Sequence, residues 1–149
     1  MLWWLPTVAW LGVLACFSTD TFSAEHTGTL LWKVIHLVYG TIPDAAFEQI
    51  HFLVRKSAHF FSYGLLSALA FFSWRATLPA ARAWAMRWCW LALLLTLLAG
   101  SMDEFHQGFV PSRTSTWHDV VIDMTGAVVF QVVIAIVLRG RKAGLRNIR

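Results

Sequence analysis

The stretch LALLLTLLA at residues 91–99 decides the fold class, because it offers water almost nothing to hydrogen-bond. It lies inside a longer apolar run, residues 84–102, close to the roughly 20 residues that a helix needs to cross a hydrocarbon core. Three further apolar runs occupy residues 2–17, 52–74 and 120–138. The sequence therefore predicts an all-α membrane bundle of four transmembrane helices.

The composition of the whole chain supports this interpretation. Of 149 residues, 58% are hydrophobic and 13% are charged, whereas a soluble domain carries about 25% charged residues. Nine tryptophans suit the two interfaces of a membrane. The two cysteines, Cys16 and Cys89, lie in apolar runs and are expected to be buried thiols. These features exclude a soluble globule, a disordered chain and a disulfide scaffold, and we expect one domain over residues 1–149.

The segment between the first two runs, residues 18–51, is expected to lie at the membrane surface. Residues 30–38 have an apolar stripe, with Lys33 and His36 on another face, which is typical of a helix in the interface. Pro43 and Asp44 then indicate the start of another helix, running from Ala45 into the second span.

The positive charges indicate the orientation in the membrane. With a cytoplasmic N-terminus, eight of the twelve Lys and Arg residues fall on the cytoplasmic side, five of them in the basic tail at residues 139–149. This bias predicts that both termini are cytoplasmic. The first run lacks the basic segment of a signal peptide, so we expect a retained span. Since the basic residues flank apolar runs, their expected partners are membrane lipids, not nucleic acid.

Polar side chains that a membrane makes costly are concentrated at the predicted outer ends of three spans. Spacings of three and four place Lys56, His59 and Tyr63 on one face of the second span. The third span ends with acidic residues, and the fourth begins with them. Because these three ends share one side of the membrane, we expect a single ligand-binding cluster. Its candidate members are Lys56, His59, Tyr63, Asp103, Glu104, Gln107, Arg113, Asp119 and Asp123.

Three functions of this cluster remain open at the level of the residues. Basic side chains, including Arg55, suit a phosphate-bearing head group or an amphiphile. Alternatively, Glu104 or Asp103 could act with His59 as catalytic acid and base on a lipid head group. The third possibility is a polar network that only holds the bundle together or supports a partner protein.

Metal binding is not indicated by the spacing of the possible ligands. Side chains of suitable type are present at His59, Glu104, His106, His118 and Asp119. However, the chain has no His-x-x-x-His or His-Glu-x-x-His pair and no cysteine pair with ligand spacing. We therefore predict neither a metal nor another cofactor.

Three motifs together resemble the VanZ-like family of small bacterial membrane proteins. They are KSAHFFSYGLL at residues 56–66, DEFHQGFVPSR at 103–113 and DVVIDMTG at 119–126. The family pattern is Lys-x-x-His-x-x-x-Tyr, then Asp-Glu-x-x-Gln leading to Pro-x-Arg, then Asp-x-x-x-Asn-x-x-Gly. The resemblance covers about residues 50–140, in the same order. One departure is Asp123, where the family often has Asn, and its expected partner is His59 or Arg113.

The resemblance implies a four-helix domain in the bacterial cytoplasmic (inner) membrane. It also implies a link to the cell envelope, since the founding member of the family is associated with resistance to the glycopeptide teicoplanin. Glycopeptides act on lipid-linked wall precursors at the outer face, which is where the charge bias places the polar cluster. The expected ligand is therefore a polyprenyl-linked wall precursor, another lipid head group or an amphiphilic antibiotic.

Overall fold

The computed structural model describes residues 2–19, 24–78, 84–109 and 116–146, without the side chains of residues 24–26 and 141–146. This part of the chain is helical and contains no strand, so the all-α prediction is confirmed. A short 3₁₀ turn, Leu2–Trp4, precedes the first of five α-helices. The helices are α1 (Leu5–Phe17), α2 (Ala24–Tyr39), α3 (Asp44–Thr77), α4 (Met86–Gln107) and α5 (Trp117–Arg146).

Among the described residues, two helices rather than the predicted four are both long and apolar enough to cross a membrane. They are α4 and the segment Trp117–Gly140 of α5. The apolar helix at Leu2–Phe17 is shorter than the roughly 20 residues that a span requires. The 34 residues of α3 provide ample length, but serine, histidine and basic side chains interrupt its apolar residues. The predicted count of four was therefore wrong, because the first apolar run is too short and polar side chains interrupt the second.

The segment after α1 forms the helices that the sequence predicts there. Helix α2 includes the predicted stretch at residues 30–38 and leaves Leu30, Leu37 and Val38 exposed. It packs on α3, where Gly28 lies against the His51 ring. Pro43 has an extended backbone immediately before α3, and the helix then continues unbroken from Asp44 to Thr77. The predicted helix from Ala45 into the second run is therefore confirmed.

Helices α3, α4 and α5 form the bundle. The pairs Lys56–Asp119 and Ser67–Gln131 show that α3 and α5 run parallel. Helix α4 runs antiparallel to α3, and Phe71 of α3 packs edge-on against Trp88 of α4, with ring centroids 5.8 Å apart. This aromatic core fills one end of the bundle, which leaves the other end to the polar side chains.

Helix α1 lies along α3 and is fixed to it by polar contacts. The hydroxyls of Thr7 and Ser73 are 2.9 Å apart and buried. The indole of Trp10 donates to the carbonyl oxygen of Ser62 at 2.9 Å. These contacts bring the C-terminal end of α1 close to the polar end of the bundle.

Candidate functional site

The polar end of the bundle holds eight of the nine predicted site residues in one group, here called the polar cluster. Arg113, the ninth, lies outside the described residues. Helix α3 contributes three members, the last turns of α4 contribute three, and the first turns of α5 contribute two. The polar cluster consists of Lys56, His59, Tyr63, Asp103, Glu104, Gln107, Asp119 and Asp123.

The three members on α3 each contact a carboxylate on a neighbouring helix. The Lys56 ammonium forms an ion pair with Asp119. One turn further, His59 Nδ1 lies 3.1 Å from Asp123 Oδ1. The Tyr63 hydroxyl then donates to Asp103 Oδ2 at 2.8 Å. The three side chains thus share one face of α3, as their spacing predicts.

Asp103 and Glu104 both point into the polar cluster. Asp103 Oδ2 accepts a second hydrogen bond, from the Gln107 amide at 3.0 Å. Glu104 is buried, and its Oε2 accepts from the backbone N–H of Thr116 at 2.8 Å. Adjacent positions on a helix point in different directions, yet both carboxylates reach the cluster. Both do so because Asp103 faces α3 while Glu104 faces the start of α5.

Asp123 is the most deeply buried acid of the polar cluster, with 1% of its surface exposed. Its Oδ1 contacts His59, so of the two expected partners the described residues supply the histidine. Its Oδ2 has no hydrogen-bond partner in the described part of the chain. That oxygen lies beside Gly100, where an added Cβ would be 3.1 Å away. Gly100 therefore keeps room for a carboxylate at this depth.

A cavity of about 280 Å³ opens beside the polar cluster, between the end of α1, α2, α3 and α4. Its wall is largely apolar, with Leu14, Phe17 and Leu31 among the lining residues. Its polar side is formed by Arg55, His59, Ser62, Tyr63, Asp103 and Gln107. Within this one cavity, a charged head group could contact the polar side while an apolar chain contacts the apolar wall.

Several of these lining residues were not predicted from the sequence. Leu14 and Phe17 belong to an apolar run with no visible motif, and His51 and Thr27 meet only because α2 folds back on α3. A second cavity, of about 390 Å³, lies on the other side of the α1 end and shares Leu14, Ser18, Tyr63 and Asp103 with the first. The end of α1 therefore separates two cavities that both reach Asp103.

The other candidate metal ligands do not join His59 and Glu104. His106 Nδ1 lies 3.2 Å from the Ser18 hydroxyl, and His118 is exposed against the ring of Trp117. Asp119 forms an ion pair with Lys56. Instead, Asp103 completes a group with His59 and Glu104, in which one ligand atom of each lies within 4.8 Å of the others.

Comparison with known proteins identifies the family of this chain. No curated protein and no solved structure matches it. The family model described as VanZ/LLP1 matches residues 3–138. This range includes the whole polar cluster and all the residues that line the first cavity. The chain belongs to the VanZ/LLP1 family.

Proposed function

We propose that this VanZ/LLP1 family member binds an amphiphile with a phosphate-type head group in the cavity beside the polar cluster. The observation that carries the proposal is the division of this cavity into an apolar wall and a polar side. Binding sites for small molecules are typically concave and mostly apolar, with a few polar groups that fix orientation. The ligand class is a lipid-linked component of the cell envelope, or an antibiotic of similar amphiphilic character.

Arg55 is the residue best placed to receive the head group. Its side chain lines the cavity and forms no ion pair with any residue that the structure describes. Lys56 is less available, because its ammonium is paired with Asp119. A guanidinium binds phosphate through two parallel hydrogen bonds, which gives both affinity and orientation.

The apolar wall suits the chain of the same ligand. Phe17 and Leu31 belong to α1 and α2, which cover the cavity from the side opposite the bundle. An amphiphile could therefore enter from the membrane with its chain between these helices and its head group against Arg55. This geometry explains why a membrane protein would place a charged cluster beside an apolar cavity.

Substitutions that fill the cavity or remove its cation should weaken this binding. Ala58→Phe places a ring where Ala58 lines the cavity, and Arg55→Gln removes the guanidinium. A charge-assisted hydrogen bond contributes about 1.5–3 kcal/mol, so we expect affinity to fall roughly ten- to hundredfold. The measurement is a titration of the detergent-solubilised protein with a polyprenyl phosphate and, in parallel, with teicoplanin, followed by tryptophan fluorescence and by native mass spectrometry.

Matched substitutions on the same helix control for general damage. Ala76→Phe and Arg75→Gln change the far end of α3, where neither side chain lines the cavity, and should bind as the wild type does. Equal affinity in Ala58→Phe and Ala76→Phe would contradict the proposal. A bound amphiphile recovered with a changed mass would instead favour the enzymatic alternative, in which Glu104 or Asp103 acts with His59 as catalytic acid and base.

The orientation proposed with this function places the polar cluster on the extracytoplasmic side and both termini in the cytoplasm. It is supported by the basic residues of the tail and by Arg75, Arg82 and Arg87 in and beside the α3–α4 connection. A green fluorescent protein fused to the C-terminus should therefore fluoresce in cells, and alkaline phosphatase fused there should be inactive. An active phosphatase fusion would reverse the orientation and place the cavity on the inner face.

A further inference from the structure

We infer that His59, Asp103 and Glu104 bind a divalent transition-metal ion, for which Zn²⁺ is the best-fitting choice. One ligand atom from each residue lies within 4.8 Å of the other two. A zinc ion bound at about 2.0–2.2 Å by each ligand holds those atoms roughly 3.4 Å apart in tetrahedral geometry. Small side-chain rotations are enough to close the remaining distance. The inference does not depend on the amphiphile, because metal binding can be measured without one.

The hydrogen bonds of His59 and Asp103 leave suitable atoms for the ion. His59 uses Nδ1 for Asp123, so Nε2 remains as a ligand atom. Asp103 Oδ2 accepts from both Tyr63 and Gln107, so Oδ1 remains. In metal sites the ligating histidine typically donates its other ring N–H to a carboxylate, and the ligating carboxylates are themselves hydrogen-bonded.

Glu104 is oriented in the same way as the other two ligands. Its Oε2 accepts the backbone N–H of Thr116, a donor that no side-chain substitution removes. All three residues are thus oriented by contacts from a different helix or segment. This is the arrangement that keeps ligands in position before an ion arrives.

Asp123 provides a second, independent indication. It is almost fully buried, and its Oδ2 has no partner in the described part of the chain. Among the described residues its ion-pair partner is His59, while Asp103 accepts from the neutral groups of Tyr63 and Gln107. A buried carboxylate without a cation is costly. A dication on His59 Nε2 would lower this cost by stabilising the charge of both aspartates.

The ligand types narrow the choice of metal. Imidazole suits Zn²⁺, Cu²⁺, Fe²⁺ and Ni²⁺, whereas Mg²⁺ and Ca²⁺ prefer sites made only of oxygen. Three protein ligands are also the number found in zinc sites that keep a fourth position open. His59 and Asp103 also line the first cavity, so an open position would face that cavity and could receive an oxygen of a bound molecule.

Titration of the full-length protein in detergent tests the site. After treatment with a chelator and its removal, we expect one Zn²⁺ per chain by isothermal titration calorimetry, and visible absorption bands of a low-coordinate site with Co²⁺. His59→Ala should weaken Zn²⁺ binding at least a hundredfold. Asp103→Asn, which can still accept from Tyr63 and Gln107, should weaken it at least tenfold without loss of folding.

Two further variants separate a metal site from general damage. Asp123→Asn keeps all three ligands and changes the outer contact of His59, and loss of such contacts weakens metal affinity 10- to 100-fold. His118→Ala removes an exposed histidine of α5 outside the group and should leave Zn²⁺ affinity unchanged. The inference is overturned if the wild type shows no saturable binding. It is also overturned if folded His59→Ala or Asp103→Asn, checked by size-exclusion chromatography, binds Zn²⁺ as His118→Ala does.

Discussion

Gly126→Ala is expected to prevent α5 from packing on α3. A Cβ at this position would lie 2.1 Å from the carbonyl oxygen of Phe60 and 2.9 Å from its carbonyl carbon. Both atoms belong to the backbone of α3, which cannot move aside without separating the two helices. Overpacking costs typically 1–3 kcal/mol and occasionally more, and we expect a loss of at least about 3 kcal/mol because no side chain can rotate away.

The effect should appear as a sharply reduced yield of monodisperse protein after detergent extraction. Where protein is recovered, thermal unfolding followed by tryptophan fluorescence should begin well below the wild-type temperature. A melting curve within a degree or two of the wild type would contradict the close approach of α5 to the Phe60 carbonyl. That result would require a different packing of the two helices.

Two other glycines provide graded controls for this prediction. At Gly64 an added Cβ would meet the ring of Phe130 at 2.5 Å, but a ring can shift, so Gly64→Ala should cost less than Gly126→Ala. At Gly12 in α1 nothing lies within 4 Å. Gly12→Ala should therefore be neutral or stabilise the protein by up to about 1 kcal/mol, because alanine favours a helix over glycine. The order of the three variants tests the register of α3 and α5 together.

The pairing of α3 with α5 could be predicted from the sequence only in part. Lys56 and His59 are three residues apart, and Asp119 and Asp123 are four apart, which places each pair on one helical face. The predicted spans place these ends of the two helices on the same side of the membrane. For Asp123 the sequence predicted a partner only as a choice between His59 and Arg113, and for Lys56 it predicted none, because the offset between two parallel helices depends on contacts such as Gly126 against Phe60.

Other parts of the site had no sequence signal at all. Leu14 and Leu31 line the cavity, yet they lie in ordinary apolar stretches whose position depends on how α1 and α2 pack against α3. The proposed zinc ligands come from two helices, and contacts from other segments orient each of them. No spacing rule within one helix can indicate such a group. The span count failed at α1 because its apolar run is short, and at α3 because polar side chains interrupt the apolar residues.

Removing the lysine of the Lys56–Asp119 pair is the second large effect that we expect. The side chain of Asp119 is 4% exposed and that of Lys56 is 24% exposed. Lys56→Met leaves a buried carboxylate without its cation, and breaking a buried pair in this way costs about 3–5 kcal/mol. The start of α5 offers partial compensation, because Asp119 lies in the first turn, where the helix dipole favours negative charge. We therefore expect a loss near the lower end of that range.

The reverse substitution should cost less. In Asp119→Leu the ammonium of Lys56 loses its partner, but its long side chain already reaches the surface and can extend further towards water. We expect Asp119→Leu to retain most of the folded protein, with a loss of about 1 kcal/mol. If the two single variants lost the same stability, the side chains of Asp119 and Lys56 would be equally exposed, which would contradict the structure.

The double variant Lys56→Met/Asp119→Leu separates a structural pair from a functional one. Replacing both members of a buried ion pair with apolar residues is often neutral or stabilising, so its melting temperature should recover to near the wild-type value. Because Arg55, rather than Lys56, is proposed to receive the head group, the double variant should also bind the polyprenyl phosphate with wild-type affinity. A double variant that is stable but has lost this binding would show that Lys56 and Asp119 belong to the binding site. In that case Asp119 holds the Lys56 ammonium in position, and the phosphate of the ligand replaces Asp119 as its partner on binding.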